Sequence, residues 1–198
     1  MKTSSDFRAE AREALSVKWG NMAVFTLVYF LVAGGIAWCV GLIIPFVGSF
    51  AAILALVPVE FAFTVAFLSL VRGGEAEIGD LFKEFNNRVF VTMILREIYT
   101  WLWSLLLIIP GIVKAYSYAM TPYLLRDDEE LEGNAAIEES MRMMSGHKWE
   151  LFCLDFSFIG WWILACLTLG IGMLWLIPYQ QTSRAAFYEE LKAQYIAG

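Results

Sequence analysis

Glu60, Arg96, Glu97 and Asp155 stand inside long apolar stretches, and Lys114 follows a Pro-Gly pair in "LLLIIPGIVKAYSYAM", Leu105 to Met120. A charge held in hydrocarbon is costly, so each such residue calls for a partner and raises the question of an ion network, a proton path or a substrate site. The chemistry on offer is carboxylate–guanidinium pairing, or an acid pair assembled from distant segments. The second half of a catalytic set is missing. His147 is the only histidine, and no His, Cys, Asp or Glu cluster has ligand spacing. No Gly-rich loop precedes a phosphate-binding helix. Ser157 in "FSFIG" lies in an apolar run with no base nearby in sequence. The expectation is therefore no catalytic, cofactor-binding or metal residue, and no enzyme.

The elements that must position these residues are set by composition. The chain is 59% hydrophobic and 17% charged, with a mean hydropathy of +0.61, far more apolar than an ordinary soluble domain. Trp19 to Val59 and Phe156 to Ser183 carry no charge at all. Each run exceeds the roughly 20 residues with which a helix crosses a bilayer. The polar N-terminal stretch lacks the apolar region and cleavage site of a signal peptide, so the first span is expected to stay in the membrane. Cys39, Cys153 and Cys166 fall separately in apolar runs and read as small buried hydrophobes. The net charge of -6 comes largely from "RDDEELEG", Arg126 to Gly133, and there is no basic stripe for nucleic acid.

Apolar runs bounded by charge or by Gly and Pro predict an all-α fold, a polytopic transmembrane bundle of about six spans in three hairpins. The spans are Asn21 to Ile44, Phe46 to Val71, Val89 to Ile109, Ile112 to Leu125, Leu151 to Leu169, and Ile171 to Ser183 running on toward Tyr188. Outside the spans, Lys and Arg fall only in alternate connections: Lys2 to Lys18, then Arg72, Lys83 and Arg88, then Arg126, Arg142 and Lys148, then Arg184 and Lys192. Positive charge is retained on the cytoplasmic side, which puts both termini there. The uncharged connections around Pro45, Pro110 and Gly170 become tight outer turns, with Pro110-Gly111 as the reversal of the second hairpin.

Counted at 1.5 Å per residue, Arg96 and Asp155 share a level roughly 10 Å deep and Glu60 lies roughly 16 Å deep, within reach of a guanidinium. The candidate site is thus an inner-leaflet polar layer of Glu60, Arg96 and Asp155. Lys114, about 5 to 6 Å below the outer tip, is a candidate outer-end cation that snorkels toward water. The layer reads equally as a structural ion network or as the floor of a cavity. Trp101, Trp103, Trp161 and Trp162 fall near mid-depth and are expected to face the bundle or a cavity rather than lipid. Trp19 and Trp149 read as interface anchors.

The whole of 1–198 reads as a single integral membrane domain carrying two cytoplasmic amphipathic segments. In 1–20, Ser5 or Asp6 caps a helix that aligns Phe7, Ala11, Ala14 and Leu15. In 126–148, an acidic loop leads to a helix capped by Asn134, with Ile137, Met141 and Met144 on one face and Gly146 as the stop. Both faces suit the membrane interface or the protein's own loops.

"LLLIIPGIVKAYSYAM", "AAIEESMRMMSGHKWELF", "LDFSFIGWWILACLTLGIGMLWLIPY" and "AAFYEEL", with the N-terminal "AREAL...KWG", resemble a family of bacterial integral membrane proteins known as a domain of unknown function. The likeness extends distantly to the membrane region of some glycerophosphodiester phosphodiesterases. It implies a multi-helix protein of the plasma membrane and carries over no site residue. A catalytic barrel needs more residues than the loops here offer. The function expected is non-enzymatic, through membrane lipids, a protein partner or a second copy of the chain, and the alternative is a transporter or channel-like protein for a small or lipid-like molecule that uses the polar layer.

Overall fold

Thr3 opens the first helix: its backbone N–H and its hydroxyl donate to Asp6 Oδ2 at 2.8 and 2.6 Å, occupying groups that a helix start leaves free. The cap is therefore Thr3, with Asp6 inside α1 (Ser4–Leu15). The computed structural model describes residues 2–43, 48–77, 79 and 86–197, and among these the chain is entirely helical. The corner at Pro45 and the charge at Lys83 lie outside the described residues.

The first two expected spans appear as α2 (Trp19–Ile43) and α3 (Gly48–Val71), which lie along one another. Both are apolar all round, so aromatic packing rather than an amphipathic face sets their register. Tyr29 stacks on Phe63 with ring centroids 4.0 Å apart, and Phe25 stacks on Phe63 at 5.7 Å. Asn86 caps α4 (Asn87–Leu106) through the Arg88 N–H at 3.1 Å.

The chain reverses next, earlier than the sequence suggests. Leu107, with φ −162° and ψ 140°, is the corner, and Pro110 and Gly111 sit in the first turn of α5 (Ile108–Ser117). Proline is compatible with that position because the N–H groups of a first turn have no intrahelical acceptor. Gly111 serves packing: a Cβ there would lie 2.6 Å from both Cα and Oγ of Ser104, so α4 and α5 touch backbone to backbone.

The fourth and fifth expected spans are each divided, into α5 and α6 (Thr121–Asp127), and into α8 (Lys148–Phe156) and α9 (Ile159–Leu167). The reversal after α9 falls where expected, at Leu169 and Gly170, whose φ values of 54° and 87° are left-handed. Leu169 pays a steric cost that glycine avoids. The sixth stretch becomes α10 (Met173–Ala197), which runs through Pro178, as α3 runs through Pro58.

α7 (Gly133–Met143) crosses the gap between α5 and α6. There the buried Ser140 hydroxyl donates to the Ser117 carbonyl (2.9 Å) and accepts from the Met120 N–H (3.2 Å). Ile137 and Met144 are buried against the body, and α1 likewise buries Phe7, Ala11 and Leu15, with Phe7 on Phe187 of α10 at 5.4 Å. Both amphipathic faces are spent on the protein itself.

Among the described side chains, burial divides the long apolar elements into a packed and a bare part. The parts near the charged connections form the core: Met22 and Phe25, Phe67 and Leu70, Leu151 and Leu154, Phe187 and Tyr188. The parts near the tips are bare, among them Trp38, Trp101, Leu105, Ile109, Leu167 and Leu169, the last 95% exposed. Two stretches, Trp19–Cys39 and Lys148–Leu167, are long and apolar enough to cross a membrane, with mean hydropathies of 2.0 and 1.6.

An ion network closes the charged end. Asp127, the second residue of "DD" in reverse reading but the first in the chain, accepts from Arg72 Nη1 and Nη2 (2.6 and 2.7 Å), Tyr188 Oη (2.7 Å) and Lys192 Nζ (2.6 Å). Burial opposes its ionisation, and the hydrogen bonds from Arg72, Lys192 and Tyr188 outweigh burial, holding the carboxyl at about 2 against the usual 3.8. A depressed folded-state value stabilises above the unfolded value and is lost on acidification. Thermal stability in detergent is therefore expected to fall as pH drops from 3.8 toward about 2, and Asp127→Asn is expected to flatten that part of the profile. Gly111→Val is expected to push α5 off α4 and cost about 1–3 kcal/mol, read by thermal unfolding.

Candidate functional site

Arg96 on α4 is held by acids from its own helix and from α3. Its Nη2 donates to Glu60 Oε1 at 2.9 Å, its Nε to Glu97 Oε1 at 3.0 Å, and Nη2 also meets Glu97. The guanidinium side chain is 13% exposed, whereas those of Glu60 and Glu97 are 44% and 37% exposed. The cation is thus buried behind two carboxylates that remain accessible.

Asp155, expected beside Arg96, is engaged elsewhere. Arg184 of α10 grips it with two bonds, Nε to Oδ1 at 2.8 Å and Nη2 to Oδ2 at 2.6 Å. Gln180 Nε2 adds a bond to Oδ1 and Tyr116 Oη one to Oδ2, both 3.1 Å. Gln180 in turn accepts from the Trp162 indole N–H at 3.1 Å. One carboxylate thereby joins α5, α8 and α10, and reaches α9 through the glutamine.

The two ion groups meet at a cavity of about 800 Å³. α3 and α4 contribute Glu60, Arg96 and Glu97 to its lining, α10 contributes Gln180 and Arg184, and Tyr29, Tyr116 and Trp162 supply aromatic walls. The volume falls within the range of about 300–1,000 Å³ typical of ligand sites, and a few convergent polar groups on an aromatic lining are the usual composition of one. The structure therefore brings Glu60 and Arg96 into direct contact and sets Asp155 behind Arg184.

Lys114 lies apart from this cavity. Its Nζ sits over the Trp103 ring, 5.1 Å from the centroid, and 3.6 Å from the sulfur of Met141 on α7. An outward snorkel is not its position: α7 belongs to the connection rich in charge, so Lys114 faces the same side as that connection. The tryptophans also divide. Trp162 faces the cavity, while Trp101 and Trp161 are 70% and 52% exposed and Trp103 is exposed beside Lys114. The sequence reading puts these rings inside the bundle or a cavity; among the described residues Trp101, Trp103 and Trp161 stand exposed instead.

Arg184 follows an apolar run and reads as an ordinary cytoplasmic charge, so its pairing with Asp155 is not apparent before the structure. The available signal was its spacing from Gln180, four residues that put both on one face of α10. Among the described residues no group of three or more His, Cys, Asp or Glu side chains could hold a metal.

The family described as "Protein of unknown function (DUF975)" matches residues 1–120 and 104–195. The chain belongs to this family. Both matches include residues 104–120, the segment of the α4–α5 corner. No curated protein and no solved structure matches the chain.

Losing one partner of a buried pair leaves the other charge uncompensated. Asp155→Asn is expected to cost about 2–4 kcal/mol in thermal unfolding, with a large coupling to Arg184→Gln in a double-mutant cycle. The coupling between Asp155→Asn and Arg96→Gln is expected to be much smaller, since the two side chains share no hydrogen bond.

Proposed function

We propose that this is a non-enzymatic integral protein of the cell membrane that holds a lipid-like molecule in the cavity between α3, α4 and α10. The observation that carries the reading is that cavity of about 800 Å³, aromatic-walled and lined by Glu60, Arg96 and Arg184. The bare apolar tips support the membrane setting, because contiguous exposed apolar surface of this kind belongs against hydrocarbon or a partner. The Lys and Arg distribution supports an orientation with both termini in the cytoplasm.

The depth of the α4–α5 hairpin modifies the six-span reading. From Ser117, where α7 crosses, to the corner at Leu107 is ten residues, about 15 Å of helix at 1.5 Å per residue. A hydrocarbon core is about 30 Å thick. With α7 at the inner interface, this hairpin ends near the bilayer midplane, while α2 with α3 and α8–α9 with α10 make the crossings. Lys114 beside Met141 accords with that depth.

A partner-binding role has less support. The apolar faces of α1 and α7 are occupied, and Asp127 of the acidic loop is consumed by Arg72 and Lys192. Transport is a second reading: α3 and α10, which contribute Glu60 and Arg184 to the cavity, run unbroken but each carry a proline, Pro58 and Pro178, and a proline inside a helix removes a backbone hydrogen bond.

Native mass spectrometry of the detergent-purified protein is expected to find one retained lipid. Thr100→Trp, which narrows the cavity from α4, is expected to reduce that retention. A wild-type protein with no retained lipid, or retention unaffected by Thr100→Trp, overturns the reading.

A further inference from the structure

The two ion groups present unlike charge to the same space. On α3 and α4 a single guanidinium serves two carboxylates, so that wall carries one net negative charge, and its cation is the buried member. The hydrogen bonds among the described residues use Oε1 of Glu60 and of Glu97, leaving each Oε2 as an acceptor, and both side chains line the cavity. On α10 the arrangement is inverted. Asp155 is the buried member, 12% exposed, and Arg184 is the accessible one at 36%. Arg184 commits Nε and Nη2 to Asp155, so that pair carries no net charge, and among the described residues its Nη1 remains a donor at the cavity lining.

A simple anion drawn to Arg184 would meet the net negative wall, and a simple cation on Glu60 and Glu97 would leave the Arg184 Nη1 donor unused. A molecule with both charges on a short linker satisfies both, and rejects neither wall. We propose that the cavity takes an ammonium–phosphate zwitterion, with the ammonium on Glu60 and Glu97 and the phosphate on Arg184. The ammonium donates N–H bonds to carboxylate oxygens, the phosphate accepts from a guanidinium, and such charge-assisted bonds are the strong ones. Tyr29 and Tyr116 also line the cavity, and aromatic rings suit an ammonium. The cavity is large enough to take the start of a glycerol backbone as well, so the source is the headgroup of an aminophospholipid rather than a free zwitterion. This inference rests on the lipid-binding reading above.

The test uses the full chain, delipidated in detergent, with three probes followed by native mass spectrometry: phosphatidylethanolamine, phosphatidylglycerol with the same acyl chains, and soluble glycerophosphoethanolamine. Phosphatidylethanolamine is expected to be retained over phosphatidylglycerol by about tenfold, the effect of one charge-assisted contact. The soluble compound at equal concentration is expected to be retained far less. In Glu60→Gln with Glu97→Gln, checked for folding by circular dichroism, the ratio of the two lipids is expected to fall toward one, while total lipid persists. Equal retention of the two lipids by the wild-type protein, or preference for phosphatidylglycerol, overturns the zwitterion and leaves lipid binding intact. Retention of the soluble compound as strong as that of the lipid upholds the charge pattern and overturns the lipid as its source. If none of the three is retained, both readings fail. The wild-type comparison needs no variant, so instability of the double substitution does not protect the proposal.

Discussion

Asp155 imposes the tightest requirement in this protein. A carboxylate within apolar surroundings is sustained only when its lone pairs are filled, and one missing donor leaves a penalty larger than the bond itself was worth. Here two arginine nitrogens, a glutamine amide and a tyrosine hydroxyl converge on its two oxygens. Those donors come from α5 and α10, so the helices cannot shift independently. The position of α10 then decides the rest: Phe187 and Tyr188 of the same helix build the core, and Arg184 faces the cavity. A polar contact thus fixes where a mostly apolar assembly comes into register, which dispersion between interchangeable Leu, Ile and Phe surfaces specifies poorly.

The same logic separates the two ends of the molecule. Near the charged connections, ion pairs and buried aromatic rings give a packed interior much like that of a soluble domain. Arg88 extends this by donating to the carbonyls of Leu125, Asp128 and Leu131, so the acidic loop is tied down by its backbone. Toward the tips, helices meet few neighbours and their apolar side chains stand free. Among the described residues glycine closes two of these tips, Gly111 against Ser104 in the α4–α5 hairpin and Gly172 against Ala165 where α9 turns into α10. Small residues at such crossings are the means by which helices associate when the surroundings are as apolar as the side chains.

Helix content, most element positions and the pairing of Glu60 with Arg96 were legible in the sequence, because hydrophobic runs and charge placement record them directly. Depth counted along a helix also placed Asp155 and Arg96 near one another in height. It carried no information on which side of a helix each faces, and rotation decided that Asp155 meets α10. Breaks inside the fourth and fifth runs were hidden for a related reason: "KAYSYAMTPY" stays apolar while the backbone bends, and the stabilising hydroxyl of Ser140 comes from a distant segment. Pro110-Gly111 reads as a turn by its composition, yet the pair is equally at home in a helix's first turn, where proline's missing donor is harmless. The α1 and α7 faces were ambiguous between lipid and protein because periodicity reports an apolar stripe without reporting what covers it.

The docking of α1 onto α10 has a consequence for the order of assembly. Phe7 rests on Phe187 and Lys2 reaches Glu190, contacts that span nearly the entire polypeptide. A ribosome completes α1 long before α10 exists, so the nascent helix carries an uncovered apolar stripe throughout synthesis. The covering surface arrives only when α10 emerges. Contacts of such sequence separation are closed late because the intervening loop entropy must be met first.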